Sequence, residues 1–311
     1  MPTIITSGSI SVKAYGFGAQ AASIPDGTFG IFQIGNGRKT NNKYTYASNT
    51  NSSTTCATVA NCGQNAAAGN STFGIFKVGS YASTATNKFT YSSSTVAAAT
   101  CLTSSCKMSA TGNKCVGIFA LGCVCGIVAT RNKYTYSNDT ISSAASSSVG
   151  ARNGSAVGNN TVAVFALGIK ACSYNRVCTR NKYTYSSNTN CCATSASAVG
   201  AEGSAAGNST RGIFARGSAS AGLGTICRCK YTYSGDTNAS ATSATTLNWN
   251  GSATGNSSVG IFALGSTGLG CGSVCRNKYT YSGDTNATAT SSSATGRRGS
   301  AASNGNVGVN S

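Results

Sequence analysis

The chain has 311 residues with 39 Gly, 2 Pro and no His, and its 23 Lys and Arg against five Asp and Glu give a formal net charge of +18. Without histidine, neither a Ser-His-Asp nor a Cys-His nucleophile can be assembled, nor a His-ligated metal site. The acids Asp26, Asp139, Glu202, Asp236 and Asp284 are so scattered that a catalytic carboxylate pair requires two of them to meet in space. Composition argues against an enzyme and implies no cofactor. With 40% hydrophobic residues and aromatics recurring at fixed places, the chain does not have the composition of a disordered one. No apolar run approaches the roughly 18 residues that cross a bilayer. The N-terminus has neither the basic start nor the apolar segment of a secretory signal, so a soluble chain is expected.

Residues 1–20 carry Ile4, Ile5, Ile10, Val12, Tyr15 and Phe17 but no copy of the blocks that follow, and form an N-terminal segment ahead of a repeat domain at 21–311. Their expected role is either to help close the fold or to add a strand to a neighbouring subunit. From there the sequence repeats. Gly30-Ile31-Phe32 returns as Gly74-Ile75-Phe76, Gly117-Ile118-Phe119, Ala163-Val164-Phe165, Gly212-Ile213-Phe214 and Gly260-Ile261-Phe262, with Phe-to-Phe spacings of 44, 43, 46, 49 and 48. Each is followed by a Lys-Tyr-Thr-Tyr block beginning at Lys43, Lys88 (with Phe89 for the first Tyr), Lys133, Lys182, Lys230 or Lys278.

The Gly-bounded apolar run reads as a strand buried on both faces, and Lys-Tyr-Thr-Tyr as a strand of period two. The remainder of each unit, such as Asp236-Thr237-Asn238-Ala239, alternates small and hydroxyl side chains, and a Gly-Asn turn precedes the next apolar strand. Four short antiparallel strands every 43–49 residues predict an all-β fold, a β-propeller of four-stranded blades, because blades packed radially cover faces that one small sheet cannot hide. A solenoid is the alternative, but its coils are mostly shorter. Residues 7–27 are expected to supply two strands before the first apolar block. Residues 282–311 then give either a seventh, incomplete blade or a terminal hairpin on six. The six phenylalanines Phe32, Phe76, Phe119, Phe165, Phe214 and Phe262 are expected at equivalent buried positions.

Arg276-Asn277-Lys278-Tyr279-Thr280-Tyr281-Ser282-Gly283-Asp284-Thr285 and Gly207-Asn208-Ser209-Thr210-Arg211-Gly212-Ile213-Phe214-Ala215 resemble repeat units of kelch-like propellers in bacterial and bacteriophage-associated proteins. The opening Ser9-Ile10-Ser11-Val12-Lys13-Ala14-Tyr15-Gly16-Phe17-Gly18 resembles the starts of phage tail-fibre-like chains. The repeat resemblance covers residues 28–305, although the Gly-Gly doublet and downstream Trp of kelch blades are missing and Trp249 stands alone. It implies a propeller on a virion or cell surface.

Fifteen cysteines cluster locally, without the two Cys-x-x-Cys knuckles of a zinc site, and no metal is expected. Two readings stay open. They fill small apolar gaps, or they form local disulfides, for which Cys56/Cys62, Cys101/Cys106, Cys172/Cys178 and Cys271/Cys275 are the candidate pairs. Disulfides without a secretory signal fit a virion protein exposed after lysis.

The repeat also places charge. The six lysines named above, with Arg131, Arg180, Arg228 and Arg276 just upstream, are expected to form a ring that attracts a polyanion such as lipopolysaccharide or an acidic glycan. The competing reading is that they only solubilise the chain and protect strand edges. Nucleic acid is disfavoured, because the Tyr pairs read as blade-to-blade core rather than base-stacking platforms. Asn-x-Ser/Thr triplets such as Asn208-Ser209-Thr210 match glycosylation sites but also arise by chance in this composition. The expectation is a non-enzymatic virion structural protein, of tail-fibre type or otherwise surface-exposed, that meets other assembly subunits and the host surface. The alternatives are a bacterial cell-surface or extracellular adhesion protein and a soluble lectin-like propeller.

Overall fold

Successive side chains of a strand point to opposite faces, so the adjacent Ile and Phe of each apolar block serve two different faces, and both need a cover. A computed structural model, which describes residues 27–60, 65–79, 83–171, 173, 175–220, 223–266 and 271–305, shows how they get it. Six four-stranded antiparallel sheets stand around an axis, and no helix occurs among the described residues. In blade 3 the strands run outward as Ser109–Gly112, Val116–Ala120, Arg131–Thr135 and Thr140–Ala144. Blades 2 (67–98), 4 (155–193), 5 (204–241) and 6 (252–289) repeat that order. The inner strands are built of Ala, Ser, Thr and Gly, with Val157 the one larger side chain, and each touches the inner strand of the blade before and the blade after.

Blade 1 is made from both ends of the described chain. Its inner strand, Ser300–Ser303, pairs with Phe29–Gln33, setting Ala302 opposite Ile31 and Ala301 opposite Phe32, and Asn41–Thr45 and Thr50–Thr54 complete it. The ring therefore has six blades, not seven: the late strand that looks like the start of another unit supplies the inner strand the first one lacks. Residues 1–20, and residues 306–311 with Asn306-Val307-Gly308-Val309, which imitates the start of a further apolar strand, lie outside the described residues.

Each seam between blades holds one apolar cluster, in which the Ile or Val of one blade meets the Phe of the next. Ile31 meets Phe76, Ile75 meets Phe119, Ile118 meets Phe165, Val164 meets Phe214, Ile213 meets Phe262, and Ile261 meets Phe32 across the closure. All six phenylalanines are 0–3% exposed, as the sequence predicts. The glycine ahead of each Ile leaves room for the second Tyr of the unit. A Cβ on Gly117 would stand 2.8 Å from the Tyr136 hydroxyl oxygen and 2.9 Å from Ala68 Cβ. Blade 4 has Ala163 there, and its Tyr185 is only half-buried while its five counterparts are buried.

The meander sorts the connections onto two faces. Tight Gly-Asn and Tyr-Ser-x-Asp turns occupy one. The loops between second and third strands, and the crossovers from each outer strand to the next inner strand, occupy the other.

Candidate recognition face

The residues that recur in every unit are spent on joining blades. The turn asparagines Asn113, Asn159, Asn208 and Asn256 accept backbone N–H bonds within their own turns, and donate from Nδ2 to a carbonyl of the next blade. Asn208, the sequon residue, thus holds Thr210 and Arg211 N–H and reaches Ser257 O at 3.0 Å. On the third strand, Asn277 accepts from Thr245 N–H and donates to Thr245 Oγ1 of the preceding crossover. In blade 5 Cys229 fills that slot, buried, with its sulfur 3.5 Å from Ser197 Oγ.

The basic ring divides in two. Arg131, Arg180, Arg228 and Arg276 are only 1–3% exposed. Their guanidinium carbons lie 4.3–4.5 Å from the ring centroids of Phe165, Phe214, Phe262 and Phe32 of the next blade. Nη1 of each donates at 2.7–2.8 Å to Asn190, Asn238, Asn286 or Asn51 on that blade's outer strand. Burial pulls Arg131, Arg228 and Arg276 down to about 10, which leaves them charged at neutral pH. These four cannot present charge to a surface ligand, because each guanidinium is buried in the seam, stacked on an aromatic face and bonded through Nη1 to the next blade.

The lysines are half-buried. Lys88, Lys182 and Lys230 reach Asp139, Asp236 and Asp284 of the next blade at 3.8, 3.5 and 3.2 Å. Lys43 lies over Phe29 at 4.1 Å from its centroid, and Lys133 and Lys278 have no acidic partner among the described residues. Three aspartates anchor the turn face. Asp284 accepts from the Tyr279 hydroxyl and from Thr242 N–H of blade 5, and the Thr242 hydroxyl bonds its carbonyl. Burial alone would raise its carboxyl, but these donors and Lys230 outweigh it and hold Asp284 at about 2. Asp139 and Asp236 are likewise lowered, against the opposing effect of burial, by Tyr134 or Tyr231, Thr100 or Thr194, and Lys88 or Lys182.

The predicted disulfides are not formed: every described cysteine is a free thiol. Cys101 sits at the outer start of a crossover and Cys106 at its inner end, so the segment between them spans the blade radius. Cys271 and Cys275 flank Gly272 and Ser273, which are held in successive antiparallel bridges. Both thiols are exposed and free. Cys56 and Cys178 are free, and their sequence partners Cys62 and Cys172 lie outside the described residues.

Most of what the repeat leaves over lies on the loop face, although Lys114 is exposed on a turn of the other. Arg38, Lys39 and Lys170 are exposed on the loop face, with Arg152, Arg176, Arg216 and Arg297 half-buried, and Glu202 is its one acid among the described residues. All six exposed large apolar side chains, Val59, Val124, Val199, Leu223, Ile226 and Leu247, belong to its loops and crossovers. At the seam between blades 6 and 1 two dibasic pairs meet. The Asn36-Gly37 turn, with both residues at positive φ, carries Arg38-Lys39, and Asn36 N–H bonds Arg297 O at 3.0 Å beside Arg298. Sequence reading tied to the repeat passes over these pairs, and the doubled basic residues next to a Gly are the signal that marks them.

A collar surrounds the axis on this face. Lys107, Asn153, Glu202, Asn250 and Arg298, one in each of blades 3, 4, 5, 6 and 1 and all at positive φ, are chained by backbone bonds. Asn153 N–H donates to Lys107 O, Glu202 to Asn153, Asn250 to Glu202 and Arg298 to Asn250, at 2.7–3.0 Å. The open cleft lined by Asn153, Glu202, Asn250 and Arg298 measures about 20 Å³, room for a water molecule or so.

A scan against protein-family models finds no match for the chain, and neither does a sequence search of curated proteins. Solved structures do match. YjhT aligns with a TM-score of 0.64 at 12% identity, over 77% of this chain and 87% of that one. TolB from Acinetobacter baumannii aligns with a TM-score of 0.59 at 8% identity, over 90% and 68%. The chain is a six-bladed β-propeller. At such identities the likeness carries the fold alone, so the kelch-like resemblance and the virion setting rest on the sequence motifs.

Proposed function

We propose that this propeller is a non-enzymatic recognition protein that binds an anionic partner through its loop face, at the surface of a virion or of a cell. One observation carries the reading: apart from Lys43, Lys114, Lys133 and Lys278, the basic side chains not used to join blades lie on this face, together with the exposed apolar ones and a single acid among the described residues. A face of like charge concentrates polyanions through its summed field, and exposed apolar side chains set among it mark a contact surface. The described clefts, of about 10–30 Å³, favour a surface-bound ligand over a small enclosed one.

The test is binding of the isolated chain to heparin, lipopolysaccharide and an acidic capsular glycan over a salt series. Affinity should fall steeply with salt, and the R38A/K39A/R297A/R298A variant should lose most of it, while R276M, altered only inside a seam, should not. Equal binding by wild type and the fourfold variant sinks the proposal. Mass spectrometry of purified virions addresses the setting, and a glycan array separates a lectin-like module from an assembly subunit.

A further inference from the structure

One small pairing recurs in five blades. After each Ile-Phe strand comes a glycine at positive φ (Gly35, Gly122, Gly168, Gly217, Gly265), and the next residue meets the crossover residue that precedes the collar. In blade 5 the partners are Ala201 and Ser218, in blade 6 Trp249 and Ser266. In blade 3 they are Cys106 and Cys123. The backbone builds this bridge whatever side chains it carries.

Cys106 and Cys123 exchange both backbone bonds, N–H to O at 3.0 Å in each direction. Antiparallel residues paired in that way have Cα atoms about 5.5 Å apart, inside the range of about 4.4–6.8 Å that disulfides span. Burial, with the neighbouring Cys123 thiol adding to it, pushes the Cys106 thiol up to about 11. Cys106 is buried and Cys123 half-exposed, with Arg152 Nη1 3.9 Å from the Cys123 sulfur. We propose that Cys106 and Cys123 form a dithiol site that exchanges with small-molecule disulfides and closes into a cross-strand disulfide on the loop face.

Cys123, the sulfur that reagents reach, attacks one sulfur of a disulfide such as oxidised glutathione, expelling one glutathione thiolate and leaving a mixed disulfide. Cys106 gives up its proton and attacks the Cys123 sulfur, expelling the second glutathione. Two protein thiols and one small disulfide become one protein disulfide and two small thiols, with two electrons passing to the glutathione. The product fastens the crossover from blade 2 to the loop of blade 3.

The full chain is incubated with oxidised glutathione, remaining thiols are alkylated, and tryptic peptides are sequenced by mass spectrometry. Fragment spectra must separate Cys106 from Cys101, and Cys123 from Cys115 and Cys125. The expected product is a Cys106–Cys123 cross-link. In C106A, which lacks the resolving thiol, Cys123 should persist as a glutathione adduct, and in C123S the buried Cys106 should stay reduced. C106A/C123S reproduces the Ala201–Ser218 pair of blade 5 and serves as the folded control by circular dichroism. Cys106 and Cys123 recovered as separate alkylated or glutathione-capped residues from the wild type, or Cys123 joined to another cysteine, overturns the proposal.

Discussion

The first aromatic of the third strand and the residue five positions on vary together among the blades. Tyr44, Tyr134, Tyr183, Tyr231 and Tyr279 donate their hydroxyls to Asn49, Asp139, Asn188, Asp236 and Asp284. Blade 2 has Phe89 and Ser94, with neither the hydroxyl nor the carboxyl or amide that receives it. All six acceptor positions lie at positive φ near +50°, where Asp and Asn are better tolerated than Ser. Phe89→Tyr alone places a hydroxyl in a packed seam with no matched acceptor and should destabilise by about 1–3 kcal/mol. F89Y/S94D should recover that loss and add about 0.5–1.5 kcal/mol. Urea unfolding at constant m-value reads both, and a double variant no more stable than F89Y removes the pairing rule.

Between elements, the same turn residues join neighbouring blades, which makes the seams sensitive to acid. Asp139, Asp236 and Asp284 have carboxyls lowered in the folded state, Asp284 to about 2, so the stability they contribute is present above the ordinary carboxylate range near 4 and is lost as pH falls through the folded value. Stability should decline between about pH 4 and pH 2. Blades 1 and 4 carry Asn49 and Asn188 at this place, so D139N/D236N/D284N should fold at neutral pH at a cost of about 1 kcal/mol or less per site and show a shallower acid decline by circular dichroism. An unchanged decline would assign acid sensitivity elsewhere. The blades themselves were legible, because the Ile-Phe and Tyr-Thr-Tyr alternations record which faces are covered. The fate of Arg131, Arg180, Arg228 and Arg276 was not, since charge ordinarily stays outside and only the register brings a Phe and an Asn of the next blade to each guanidinium. The loop face was equally hidden: its side chains do not repeat, so periodicity says nothing about them.

For the whole molecule, the decisive contact is the closure of the ring. A propeller left open would expose the Ile31 side of blade 1 and the Phe32 side that packs on Ile261, and its first blade would have only three strands. Ser300–Ser303 prevents this with four residues, none larger than Ser, that fit between Phe29–Gln33 and the inner strands of blades 2 and 6. Sequence did not settle six blades against seven, because residues 7–27 read as strands enough to complete the first blade, which left residues 282–311 to read as an incomplete seventh or a hairpin added to six. The four strands of blade 1 come from residues 29–54 and 300–303, so the ends should differ in consequence. Deleting residues 1–20 should leave cooperative unfolding intact. Truncation after residue 298 removes a whole inner strand and uncovers two seams, and the burial lost with one Phe alone is worth about 1.5–3 kcal/mol. Against a typical total of about 5–15 kcal/mol, that truncation should abolish the cooperative transition or yield aggregate on size exclusion. A truncated chain that still unfolds cooperatively at wild-type denaturant would show that the ring does not depend on this strand.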